Sequence, residues 1–146
     1  MKTQHRDAHS PSPEHTKTLA ETLAPTLRKG DLVLLSGPIG AGKSHFTRSA
    51  IHVLLPVPED VPSPTYTLVQ TYTGKTAEIW HADLYRLSNA SEIHELGLWA
   101  AFDDAICFVE WPDRLGNTIP ERALYIDIKP GLEDDARLLR FSWSDN

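Results

Sequence analysis

Leu19, Ala20, Leu23, Ala24 and Leu27 recur at spacings of three and four, which predicts an amphipathic helix over 15–27. Pro25 sits inside that pattern as a kink or an early end, and Arg28-Lys29-Gly30 reads as a C-terminal stop. The short apolar run over 31–36 has the composition of a strand buried on both faces. Phe46, Ile51, Val53, Leu54 and Leu55 then suit a second helix that ends before Pro56. Pro62 and Pro64 forbid regular structure between them. A β-run over 65–72, a tight reversal over 73–76 and a return over 77–81 predict a hairpin. The stretch 88–102 is helical in pattern, broken at Gly97 and capped by Ser88 or Ser91. A second buried strand follows over 105–109, with Asp103 and Asp104 in the loop before it. The last two strands, over 123–128 and 137–143, flank a turn over 130–134. Strands with interspersed helices predict a single α/β domain over 15–146, its sheet parallel at the centre with antiparallel additions and helices on both faces.

Composition narrows the class. Residues 1–14 hold almost no apolar side chain and two prolines, and they read as a disordered tail. The longest apolar runs, 98–102 and 105–109, are far too short to span a membrane, and no apolar stretch follows the first residues. A single cysteine, Cys107, sits within an apolar run and reads as a small core residue, so a reducing, cytoplasmic setting is expected. The net charge is −6, with 14 basic residues scattered among 20 acids. That balance argues against a chain that grips nucleic acid by itself.

The chemistry lies between the first strand and the second helix. Gly37-Pro-Ile-Gly40-Ala41-Gly42-Lys43-Ser44 is G-x-x-x-x-G-K-[ST], the P-loop pattern. Its glycines let the backbone curl so that several N–H groups point into one concavity, and the following helix adds its positive end. Lys43 can reach the β- and γ-phosphates, and the Ser44 hydroxyl can ligate Mg²⁺. Chance alone yields the pattern in roughly one chain of this size in two hundred. The strand before it and the helix after it are the context the motif demands, so a nucleoside triphosphate site is expected.

Such a site needs carboxylates. Glu110 follows the strand over 105–109 directly, and Asp83 ends the run over 77–82, so both are candidates for the metal–phosphate centre. The asparagines at 89, 117 and 146 never precede a lysine, so the Asn-Lys-x-Asp signature of a GTPase is lacking. A small-molecule kinase would need a lid with several arginines, and only Arg86 and Arg114 lie in the central region. From the residues alone the chain is a compact ATP-binding module.

Four further motifs extend that reading: Ser63-Pro64-Thr65-Tyr66-Thr67-Leu-Val69, His81-Ala-Asp83-Leu-Tyr85-Arg86-Leu87, Glu95-Leu-Gly-Leu98 and Val109-Glu110-Trp111-Pro112. In this order, with the P-loop, they resemble the TsaE (YjeE) family, the small bacterial ATPase of tRNA threonylcarbamoyladenosine synthesis. The resemblance covers most of the chain, from Thr16 to Ile128. Pro38, Ile39 and Ser44 depart from the family's usual Gly-Asp/Asn-Leu-Gly-Ala-Gly-Lys-Thr, and Ala82 stands where a Phe is usual, but the glycines, the lysine and a hydroxyl remain. The resemblance implies that Gly37, Gly40, Ala41, Gly42, Lys43, Ser44 and His45 hold ATP, with Thr16 near the adenine ring. It implies Mg²⁺ on Ser44 and Glu110, the latter directly or through water. Asp83 would order the metal or the attacking water, and Lys43, Asp83 and Glu110 form the implied catalytic set. Ser63 to Thr67 would be a switch loop responsive to the γ-phosphate, and Tyr85, Arg86 and Trp111 would face nucleotide, partner or core. His81 reads as a hydrogen-bonded structural histidine. The implied partners are TsaD and TsaB, with tRNA engaged only through them, and ATP hydrolysis slow until they bind. Two alternatives stay open: a binding module that does not need hydrolysis, and a small-molecule kinase.

Overall fold

A computed structural model describes residues 2–87, 89, 91–120 and 122–145. Leu32 and Leu34 of β2 (Leu32–Ser36) pack into one apolar cluster, and Val33 and Leu35 pack into another. A strand buried on both faces belongs in the middle of a sheet. It lies there, in a seven-stranded sheet of order β1-β7-β6-β2-β5-β4-β3. The other strands are β1 (Lys2–Ser10), β3 (Val69–Thr73), β4 (Glu78–Asp83), β5 (Ile106–Glu110), β6 (Leu124–Pro130) and β7 (Arg137–Asp145). Pairings of β2 with β5 and β6, and of β4 with β5, are parallel. Pairings of β3 with β4, β6 with β7 and β1 with β7 are antiparallel.

Helices cover both faces. On one face α1 (Pro13–Leu23) and α2 (Lys43–Leu54) bury Ala20, Phe46, Ala50, Ile51 and Leu54 against Val33, Leu35, Phe108, Ile126 and Ile128. On the other, α3 (Ser91–Leu96) and α4 (Leu98–Asp104) bury Ile93, Leu98, Ala101 and Phe102 against Leu32, Leu34, Cys107 and Val109. Phe46 is wholly buried between helix and sheet, where truncation to Ala costs about 3–5 kcal/mol. The core therefore clamps β2 from both sides and fixes where its C-terminal end lies. No described helix is long and apolar enough to cross a membrane.

Several boundaries differ from the sequence reading. The polar N-terminus is no disordered tail: Lys2–Ser10 pairs along β7 with Lys2 opposite Asp145 and Ser10 opposite Arg137. Its bonds are main-chain bonds, which leave no trace in a hydropathy pattern. They are reinforced by the Arg140 guanidinium, which donates to both carboxylate oxygens of Asp7 at 2.7 and 2.9 Å. α1 starts earlier than the apolar periodicity, with Ser12 as its cap (its hydroxyl accepts from His15 N–H at 3.2 Å) and Pro13 in the first turn. It also ends earlier, because Pro25 turns the chain into a short 3-10 segment, Ala24–Thr26. In the hairpin, residues 65–67 are a turn and pairing begins only at Val69. Gly97 separates α3 from α4 as expected, and Asp103 and Asp104 belong to the last turn of α4 instead of a loop. The expected cap at Ser88 lies outside the described residues.

Deleting residues 1–9 uncovers the outer edge of β7. The alternate backbone amides of 138–144 that face β1 should then exchange about 100-fold faster, with Tm lowered by roughly 5 °C or more. A disordered tail would leave both unchanged.

Candidate functional site

Three parallel strands end at one edge of the sheet, and the site is built there. Register sets Leu35 of β2 beside Glu110 of β5, and Asp83 of β4 beside Glu110 on its other side. The chain leaves β2 through the glycine loop 37–42 and enters α2 at Lys43. Gly37 has φ +140°, and a Cβ on it would lie 2.1 Å from the main-chain oxygen of Ile128 in β6. Only glycine lets the loop start this close to the sheet. Gly42, the helix N-cap at φ +104°, turns the backbone from the loop into α2.

Lys43 is nearly fully buried, at 5% exposure. Its ammonium donates back to the loop carbonyls of Gly37 and, at 3.1 Å, Pro38. The Trp111 ring covers it from the other side, 4.1 Å from the nitrogen to the ring centre. Burial lowers the Lys43 pKa, and the nearby carboxylates of Glu110 and Asp83 oppose that shift. Trp111 reaches this position from a left-handed backbone, φ +61°, and its ring also packs on Tyr85 at 4.8 Å.

Glu110 is buried, with two side-chain partners, the Ser44 hydroxyl and His81, to satisfy its charge. The Ser44 hydroxyl lies 3.0 and 3.1 Å from its two carboxylate oxygens, and His81 Nε2 lies 2.7 Å from Oε2. His81 is thus a buried histidine tied to an acid. Its other ring nitrogen, Nδ1, is buried without a hydrogen-bond partner. Asp83 accepts from Tyr85 N–H at 3.0 Å. Burial raises its pKa above the usual carboxylate value; the Tyr85 N–H lowers it, Glu110 raises it further, and His81 and Lys43 lower it. One hydroxyl and two carboxylates in one pocket are hard oxygen donors, the kind Mg²⁺ prefers. Donors of this kind could hold a divalent ion.

A cleft of about 430 Å³ gathers Gly40, Gly42, Lys43, Ser44, His45, Ser63, Thr65, Asp83, Glu110 and Trp111 along its walls. Most of the expected site residues therefore meet. Ser63 brings the proline-stiffened segment to the loop, its hydroxyl 3.2 Å from that of Ser44. That segment closes on itself, Leu68 N–H donating to Pro64 O at 2.9 Å, with Leu68 in a left-handed conformation at φ +68°. Other expected residues stand apart. Tyr66 is 86% exposed and stacks under the Arg86 guanidinium at 5.2 Å, and the Thr67 hydroxyl accepts from Gln70. Thr16 lines a smaller recess of about 130 Å³ with Pro13, Ala41, Gly42, His45, Asp135 and Arg137. Its hydroxyl is already engaged, 2.6 Å from that of Ser10. Arg137, which the sequence reading places only at the start of a strand, reaches the glycine loop at Ala41 O and Gly40 O.

The geometry has recognisable relatives. A family model described as "Threonylcarbamoyl adenosine biosynthesis protein TsaE" matches residues 10–138. A tRNA threonylcarbamoyladenosine biosynthesis protein TsaE of Rickettsia bellii (strain RML369-C) is 38% identical over 127 residues, 87% of this chain and 88% of its own. The protein of the same name from Bacillus subtilis (strain 168) is 34% identical over 128 residues, 87% of this chain and 79% of its own. Among solved structures, the crystal structure of Bacillus subtilis YdiB aligns with a TM-score of 0.82 at 28% identity, covering 100% of this chain and 90% of that one.

Two substitutions test the construction. Gly37→Ala drives a methyl group into the Ile128 carbonyl and should cost about 2–4 kcal/mol in denaturant unfolding. Asp83→Asn should act in the opposite direction. With its pKa raised on folding, Asp83 holds its proton in the native state over a window where the unfolded chain has lost it. Stability therefore falls as pH rises through that window. The Asn variant should lose that slope and melt higher than the wild type at neutral pH, in melting curves recorded from pH 4 to 8.

Proposed function

This chain belongs to the TsaE family, and on that footing we propose that it binds and hydrolyses ATP, with Mg²⁺, in support of threonylcarbamoylation of the adenosine 3′ of the tRNA anticodon. In this reading the chain does not transfer the threonylcarbamoyl group. It acts with TsaD and TsaB homologues, which engage the tRNA, and its own hydrolysis is slow without them. The observation that carries the reading is the meeting of Ser44 and Glu110, 3.0 and 3.1 Å apart, at the end of a glycine loop closed by Lys43.

Each residue then has a task that follows from its position. The loop amides and Lys43 hold the triphosphate, Lys43 exchanging the carbonyls of Gly37 and Pro38 for phosphate oxygens. Ser44 and Glu110 would hold Mg²⁺, which when bound neutralises charge developing on the phosphate oxygens. His81 keeps the Glu110 carboxylate turned toward Ser44. Asp83, tied at Oδ1 to Tyr85 N–H and lining the cleft, orients water there and accepts its proton. Ser63 and Thr65, at the cleft wall, carry the state of the γ-phosphate into the 63–67 loop, whose exposed Tyr66 and neighbouring Tyr85 present it to a partner. The net charge of −6 agrees with leaving the tRNA to those partners.

Phosphate release from Mg-ATP tests the reading. The rate should be low for the chain alone and rise at least about tenfold with TsaD–TsaB. Lys43→Ala should reduce it by about 100-fold or more under both conditions. Equal turnover with and without partners contradicts the proposal. Intact tRNA modification by an Asp83→Ala chain that binds ATP but no longer hydrolyses it would replace catalysis with a purely conformational use of the nucleotide.

A further inference from the structure

We infer that Arg137 is a positioning residue of the nucleotide site: it fixes the direction of the Ala41–Gly42 peptide so that the Gly42 N–H faces the phosphate cleft. The inference rests on the triphosphate reading above and adds a residue to it.

The geometry is local. Arg137 is the first residue of β7 and is half-buried. Its Nε donates to Ala41 O at 2.9 Å, and one terminal nitrogen reaches Gly40 O at 3.4 Å. The other terminal nitrogen donates to Asp134 O and Ala136 O, both at 2.8 Å, which anchors the guanidinium to the β6–β7 turn. A planar fork held at several points cannot follow the loop if a peptide flips.

The loop needs that restraint. In a trans peptide the C=O and the next N–H point in opposite directions. Pulling Ala41 O toward Arg137 therefore turns Gly42 N–H to the opposite side of the loop. The preceding N–H, of Ala41, is already committed to Pro38 O at 3.1 Å. Pro38 itself has no N–H to offer. Glycine at 40 and 42 leaves these peptides free to rotate, so an external clamp replaces the stiffness the sequence lacks. The clamp is itself braced: Arg137 pairs with Ser10 of β1 and Pro130 of β6, and the Ser10 hydroxyl lies 2.6 Å from that of Thr16 in α1. The N-terminal strand thus reaches the phosphate loop through one side chain.

The test uses the full chain with two probes, Mg-ATP and Mg²⁺-free tripolyphosphate, the second lacking a nucleoside. Arg137→Gln should weaken binding of both roughly tenfold, while Arg140→Gln, which removes an exposed arginine from the same strand, should leave it unchanged. Arg137→Lys, a point charge without the fork, should recover only part of the loss. A purely structural role predicts equal losses for Arg137→Gln and Arg140→Gln at equal loss of Tm, and that result overturns the inference. Wild-type affinity in Arg137→Gln overturns it as well. A measurement on the wild-type chain alone guards against variants that do not fold. On adding tripolyphosphate, the Gly42 amide resonance should shift most and that of Ala41 little; the reverse order refutes the assignment. Absence of binding by the wild-type chain would remove the triphosphate reading itself, a result distinct from wild-type binding that survives loss of Arg137.

Discussion

The parallel pairing of β2, β5 and β4 ends three strands at the same edge of the sheet, and every polar group of the site depends on it. Register alone sets Glu110 between Leu35 and Asp83. Burial on both faces of β2 and β5 prevents that register from slipping, because a one-residue shift would carry their apolar side chains to the wrong clusters. The loop then starts from a fixed point, Gly37 against Ile128 O, and returns through Lys43 to the same place.

The resulting cluster is held against the preference of its own charges. Burial works against the ammonium of Lys43 and the carboxylate of Asp83 alike; each partly relieves the other, and Glu110 favours the charge on Lys43 while opposing that on Asp83. Glu110 is better served, with Ser44 and His81 both bonded to it. Under the proposed function, a ligand that brings its own negative oxygens for Lys43 and a cation for the two acids would stabilise such a site. Here Lys43 is met by the carbonyls of Gly37 and Pro38, and Glu110 by the Ser44 hydroxyl.

The glycine loop, Glu110 and Asp83 were legible because each follows an apolar run, and apolar runs mark strand ends. The break at Gly97 and the two-faced helical cover were legible from periodicity and the one residue that interrupts it. The first strand was not. Its residues Thr3 to Asp7 are exposed, and only the pairing with β7, a long-range main-chain event, makes it ordered. The contact of Arg137 with the loop leaves no mark in the sequence because its partners are carbonyl oxygens, which every residue carries and no motif records. Of the 63–67 motif, Ser63 and Thr65 reach the cleft, whereas Tyr66 is turned to solvent on Arg86. Residues adjacent in a motif need not share one environment. Thr16 lies near the loop, yet its hydroxyl is spent on Ser10.

The proposed function requires a triphosphate in the loop with its cation on Ser44 and Glu110. Calorimetric titration of the full chain with ATP, first with Mg²⁺ and then with a chelator, addresses it directly. Saturable one-to-one binding that weakens at least about tenfold when the cation is removed is the expected result. Heat no greater than dilution in both titrations would contradict it.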